Sequence, residues 1–473
     1  MKHPPGCHHI AGRTFFTLYA PYARHVRLFL FDRCDQNKPN EQLLMRAVGD
    51  GYWEYSDIRS FIGLYYAFSI DGSKDLIADP CARSVSTFND YRQEAKGFIV
   101  HEDFKWEDAS FRRPDDARDL IIYECHIRDM SAHKSSGAGQ NGVYRNMEEK
   151  INYLLELGVN AVEFMPLMQF ANYEPPFREE TEHVLNDWNP YAYNHWGYMT
   201  SFFFAPVNFY ASEVKSSKNE WCDPQGREIR ELRSLVNALH KAGIAVIMDV
   251  VYNHISQYNI NPLRVLAGDR YLRRHENHSG CGNDIQSEFP VMRELIVSSI
   301  RHWMKDFHID GFRFDLTGIL DNDTLHILKA EAQKINPKVI LLGEPWGRRY
   351  FPHEMSNMGW GVWNDVYRNG IKGSDPHHEK GFLFGHQGSV PADDAVKFVS
   401  GSLQQNGGIV PDSSRTINYL ESHDGYTLGD FIRIALRPEG KAVLPDRKEH
   451  LRLSKKEEMM HRLAAFILTC SQG

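Results

Sequence analysis

The first hundred residues carry apolar positions in short runs with two-residue alternation. Phe15–Tyr19 and His25–Phe31 alternate or run apolar around the turn Ala20-Pro21, and Gly51–Tyr55 and Leu64–Ile70 follow with turn residues between them. Short strands at this spacing predict a small all-β sandwich over residues 1–106. A charged stretch around Arg112-Arg113-Pro114-Asp115-Asp116 predicts a linker over 107–119.

From Leu120 the rhythm changes to apolar runs of strand length alternating with amphipathic helical patterns, as in a parallel sheet with crossover helices. Strands are expected at Leu120–His126, Ala161–Phe164, Ala245–Val251, Ile309–Leu316, Val339–Gly343, Gly361–Trp363 and Thr416–Leu420. Helices are expected at Met147–Leu157, Leu232–Lys241, Val291–Phe307 and Thr324–Ile335, the last stopped by Asn336-Pro337. Met459–Leu468 is read as leading into an eighth strand ending at Cys470-Ser471-Gln472-Gly473, which closes a (β/α)₈ barrel over 120–473. Two long excursions, from Pro166 to Glu231 and from His254 to Glu288, leave the C-terminal ends of strands. That is the face on which such barrels place their chemistry.

Composition narrows the class. A chain of 473 residues, 42% hydrophobic and 12% aromatic, can bury a large core, and a formal charge of −8 speaks against a nucleic-acid partner. Seven scattered cysteines without CxxC pairing read as free thiols of a reducing compartment. The N-terminus lacks the apolar core of a signal sequence, and no apolar run approaches a membrane span. The expectation is a soluble cytoplasmic protein. Neither a phosphate loop nor a dinucleotide fingerprint is present, so no nucleotide cofactor is implied.

The strand ends carry the chemistry. Strand three ends Asp249-Val250-Val251-Tyr252-Asn253-His254, and strand four is Asp310-Gly311-Phe312-Arg313-Phe314-Asp315-Leu316, with Arg313 and Asp315 on one face. Strand five ends Gly343-Glu344-Pro345-Trp346, and strand seven ends Glu421-Ser422-His423-Asp424. A lone Asp at a strand end is more often a cap than a catalyst. Four strand ends that all deliver acids, an Arg and His to one rim are a different matter. Acetal cleavage needs one carboxylate at the anomeric carbon and another to protonate the leaving oxygen. Arg313 would keep Asp315 ionised and aimed, and the apolar setting of Glu344 beside Trp346 suits a proton donor.

These four segments resemble the four signature regions of the α-amylase superfamily, glycoside hydrolase family 13, in order and spacing. The resemblance implies Asp315 as nucleophile, Glu344 as acid/base and Asp424 as the acid that grips sugar hydroxyls, with Asp249, His254, Arg313, Trp346 and His423 around the substrate. Gly311–Leu316, Gly343–Trp346 and His195-Trp196-Gly197-Tyr198-Met199-Thr200 resemble the debranching group of isoamylase, pullulanase and glycogen debranching enzyme. Tyr198 would then stack on the sugar undergoing cleavage. Trp363-Asn364-Asp365 with Asn369–Gly373 resembles pullulanase.

The N-terminal sandwich resembles the early-set, glycogen-binding-type module found before such barrels, with packing on the barrel as its expected role. The implied partner is an α-glucan and the implied reaction is retaining hydrolysis of α-1,6 branches. The alternatives are a branching or α-1,4-acting sibling, or a catalytically silent glucan-binding relative. No cofactor is implied. Calcium occurs in some members, but no ligands are assignable. The histidines at 275 and 278, and at 377, 378 and 386, have loose metal-like spacing that loop histidines commonly show. Relatives of this kind continue into a last barrel helix and a β-domain, so the expectation is a barrel cut after strand eight, with Phe466, Ile467 and Leu468 left uncovered.

Overall fold

The computed structural model describes residues 3–90, 94–101, 103–139, 142–173, 194–256, 260–436 and 452–473. The chain folds as two compact units, Met1–Arg113 with Ile121–Val339, and Pro114–Leu120 with Ile340–Gly473.

The first unit opens with two antiparallel sheets. One has the order Gly6–Ile10, Arg13–Tyr19, Tyr52–Asp57, Arg46–Gly49. The other runs Trp221–Cys222, Val85–Phe88, Ala95–Phe98, Tyr65–Ile70, Val26–Phe31, Glu41–Leu44. Inward positions of both sheets make one core containing Phe16, Leu18, Val26, Leu28, Leu30, Tyr66 and Phe68. Alternation explains it: Val26 and Leu28 are buried while Arg27 between them is exposed. The four strands expected from the pattern form within a few residues of their expected bounds. Short strands such as Glu41–Leu44 and Arg46–Gly49 escaped the pattern because they are edges with little buried apolar surface.

Four parallel strands follow in the same unit: β1 (Ile122–Cys125), β2 (Ala161–Phe164), β3 (Ala245–Val250) and β4 (Gly311–Phe314). Their register aligns Cys125, Phe164, Met248 and Phe312 in one row. β2 and β3 are buried throughout, so they read as continuous apolar runs rather than alternating ones. Helices Arg227–Lys241, Pro290–Asp306 and Asn322–Ile335 bury one face each. Pro290 begins the second helix where its missing N–H costs nothing, and the Asp321 side chain caps the third through the Thr324 N–H.

The excursion after β2 contains the antiparallel pair Met168–Phe170 and Thr200–Pro206; residues 174–193 lie outside the described residues. The one after β3 holds the helix Pro262–Tyr271 and an isolated bridge between His254 and Asp284.

The second unit contributes β5 (Ile340–Gly343), β6 (Gly361–Trp363) and β7 (Thr416–Ile417), again parallel, with Gly343 opposite Val362 and Trp363 opposite Ile417. Its core gathers Tyr367, Ile371, Phe398, Leu428, Phe431 and Ala464. One expectation fails here. Residues 455–470 form a helix, Lys455–Cys470, begun by a reciprocal capping box between Ser454 and Glu457, so there is no eighth strand among the described residues. The apolar run Leu463–Leu468 has the length of a strand, but its period is helical. Ala464 is buried, Ile467 and Leu468 pack against the unit core, and Phe466 on the other face is 64% exposed.

Candidate active site

In the first unit the site residues stand at the C-terminal ends of β3 and β4, where the register sets Asp249 opposite Arg313. Arg313 is wholly buried, and its Nη1 donates to both Asp249 oxygens (2.9 and 2.8 Å) and to Asp315 Oδ1 (3.3 Å). A guanidinium so placed is tolerated only because carboxylates surround it. Asp315, whose side chain is 12% exposed, also accepts from Asn253 Nδ2 at 2.7 Å. The chain turns sharply after it, since Leu316 adopts a left-handed conformation (φ 40°) that side chains with a Cβ avoid.

Tyr198 arrives from the first excursion. Its hydroxyl donates to Asp249 at 2.5 Å, and the Arg313 guanidinium lies 5.8 Å from its ring centroid. Burial, then the Asp249 carboxylate, holds this phenol well above its ordinary pKa, so it remains a donor. His254 is buried and touches Asn253 through Nδ1 (2.5 Å) and the Met199 sulfur through Nε2 (3.3 Å). Burial disfavours its charge. Cys281 and the Asp315 and Asp284 carboxylates outweigh that and raise it to about 9.

The second unit carries the other expected residues. Glu344 directly follows β5 and is 2% exposed, and Trp346 beside it is half-buried. Beyond β7, the Asp424 side chain is 60% exposed, with its carboxylate 3.6 Å from His423 Nε2. The ring of His423 lies 6.3 Å from that of Trp363, which in turn packs against Tyr419 at 5.0 Å.

The structure thus gathers Tyr198, Asp249, His254, Arg313 and Asp315 in one unit, and places Glu344, Trp346, His423 and Asp424 at strand ends of the other. Sequence reasoning passed over Asn253 as a ligand of Asp315, although it lay inside a quoted motif. It also passed over Glu124 and Glu163, which join Asp249 in a group of carboxylates within 4.8 Å. An acid inside an otherwise apolar strand was the available signal. Within this group Asp249 is already committed to Arg313 and Tyr198. The loop histidines with loose spacing form no ligand group among the described residues. No described helix is long and apolar enough to cross a membrane.

No family model matches the chain. A pullulanase of Bacillus subtilis strain 168 is 32% identical over 99% of this chain and 63% of its own length. The chloroplastic isoamylase 1 of Arabidopsis thaliana is 29% identical over 88% of this chain and 59% of its own. The crystal structure of Paenibacillus barengoltzii pullulanase in complex with maltohexaose and α-cyclodextrin superposes with a TM-score of 0.80 at 27% identity, covering 99% of this chain and 72% of that one. The chain spans about three fifths of the length of these two curated relatives.

Fold and relatives together define the class, a (β/α)₈ barrel preceded by an all-β domain, of the kind glycoside hydrolases use. Within that class its homologues are pullulanases and isoamylases, the debranching group of glycoside hydrolase family 13.

Proposed function

We propose that the chain hydrolyses α-1,6-glucosidic branch linkages in glycogen or a related α-glucan, with retention of anomeric configuration, as a cytoplasmic enzyme. The observation that carries this reading is the fully buried Arg313 held between Asp249 and Asp315, with Asp315 pinned from its other side by Asn253. A carboxylate oriented from two sides at a strand tip suits attack on an anomeric carbon.

In the first step Asp315 forms a bond to that carbon. Glu344 gives its proton to the departing glycosidic oxygen, which leaves as a free 6-hydroxyl. In the second step Glu344 removes a proton from water, and the resulting attack breaks the glycosyl–Asp315 ester. Asp424, His254, His423 and Trp346 contact the sugar, and Tyr198 supplies a stacking face held in place by its bond to Asp249.

The test is incubation with pullulan and glycogen, followed by chain-length analysis and proton NMR of the first product. Linear α-1,4 chains released as the α-anomer are expected. Release of the β-anomer would remove Asp315 from the nucleophile's role. Transfer without new reducing ends would show a branching enzyme, and an inert Asp315 and Glu344 pair would show a silent relative.

A further inference from the structure

A second group of ligating side chains lies outside the carboxylate constellation. His126, Asp129 and His195 bring two imidazoles and a carboxylate within 4.8 Å of one another. His126 follows β1 and caps the short helix Ile127–Ser131, which carries Asp129, while His195 comes from the excursion that delivers Tyr198 three residues later. Asp129 Oδ1 lies 2.9 Å from His195 Nε2, and Oδ2 lies 3.6 Å from His126 Nδ1. Ligands about 2.0–2.1 Å from a tetrahedral ion stand about 3.3–3.4 Å apart, so these separations straddle the edge of a coordination polyhedron.

The surrounding bonds point the same way. The Nε2 of the buried His126 lies 2.8 Å from the His195 carbonyl and 2.9 Å from the Tyr210 hydroxyl. Donation from a ligand imidazole's far nitrogen to a carbonyl is the usual device for fixing the tautomer that leaves the near nitrogen's lone pair toward a metal. In this ring that near nitrogen is Nδ1, whose single lone pair accepts a long bond (3.3 Å) from the Asp129 N–H, a bond that metal ligation would replace. The group is open to solvent on one side, since the side chains of Asp129 and His195 are 59% and 42% exposed.

We propose that His126 Nδ1, Asp129 and His195 Nε2 bind a borderline divalent transition-metal ion, with zinc as the representative, whose remaining positions are filled by water. Two imidazoles and one carboxylate suit such an ion and not calcium. Bound there, the ion ties the start of the Tyr198 segment to the end of β1. It takes no part in the glycosidic step, so the proposal stands or falls independently of the hydrolase reading.

The test uses the full, tag-free chain stripped with chelator. Zinc is titrated by calorimetry and cobalt by visible ligand-field absorption. One saturable equivalent is expected, with zinc raising the melting temperature. Asp129→Asn and His195→Ala, both at exposed side chains, should each weaken binding at least about tenfold, while His278→Ala leaves it unchanged. Circular dichroism checks that each variant is folded. Absence of a saturable site, or full affinity in both folded Asp129 and His195 variants, overturns the assignment.

Discussion

At the scale of single residues, the most consequential contact is the buried ion pair between Arg313 and Asp249. In a place water does not reach, both Asp249 oxygens accept from the Arg313 Nη1. Removing one partner of such a pair strands a charge and costs about 3–5 kcal/mol. Asp249→Ala should therefore lower unfolding stability in urea by roughly that amount, as well as reducing turnover through Tyr198 and Asp315.

His254 makes a different prediction, one of pH. Its pKa is raised in the folded chain to about 9 from an ordinary 6.5. The stability it contributes is thus fully present below pH 6.5 and is lost as pH rises through 9. Thermal melts at pH 6 and pH 9.5 should differ by about 1–3 kcal/mol more in the parent than in His254→Gln.

The identities of these residues were legible in sequence because strand alternation puts Arg313 and Asp315 on one face and the register keeps both at one rim. What was not legible is what only tertiary approach supplies. Asn253 reaching Asp315 across two strand ends, and Cys281 beside His254, join residues 62 and 27 positions apart.

At the scale of elements, the segment that presents Tyr198 depends on one glycine. Gly197 has φ +93°, and a Cβ there would sit 2.5 Å from the Phe170 ring, while its N–H is held by Asn194 at 3.0 Å. Gly197→Ala should shift the tyrosine off its Asp249 contact and lower kcat/KM at least about tenfold. A 1 Å misplacement of a positioning group can cost about 10²-fold. Kinetics on pullulan, with a melt to show the fold intact, checks this.

Long, strongly periodic elements were foreseeable at this scale. Pro290–Asp306 was recovered within a residue of each expected end. Lys455–Cys470 was missed because its apolar run of six residues is as long as a strand, and the capping box at Ser454, the better signal, lies ten residues upstream of Ala464.

At the scale of the whole molecule, within the first unit the sandwich and the barrel helices are joined through a buried acid. Ser84, in the sandwich, donates its hydroxyl to Glu228 in the first turn of Arg227–Lys241. Burial pushes Glu228 up to about 7 from 4.5. Because the folded value is raised, the neutral acid's contribution is present below pH 4.5 and lost as pH rises through 7, where the charge must be held in a buried site. Glu228→Gln should gain about 1–3 kcal/mol at pH 8 and little at pH 5, read from urea melts at the two values.

The two-residue strand Trp221–Cys222 has a consequence for how such chains can be recombined. It belongs to the excursion after β2, yet it hydrogen-bonds the edge of the sandwich at Val85–Phe88. Asn208, from the same excursion, donates to the Val85 carbonyl and the Thr87 hydroxyl, and Asp223 accepts from Tyr65 and Ser86. A gene fusion cut at residue 106 would carry the sandwich away with that edge bare, its amides open to pairing with another chain, and would leave Asp223 without either hydroxyl. The portion that can be inherited or exchanged intact is therefore discontinuous in sequence, comprising the sandwich together with the excursion that closes its edge. Shuffling that respects only the linear boundary should yield aggregating chimeras, whereas transplanting both pieces together should yield soluble ones.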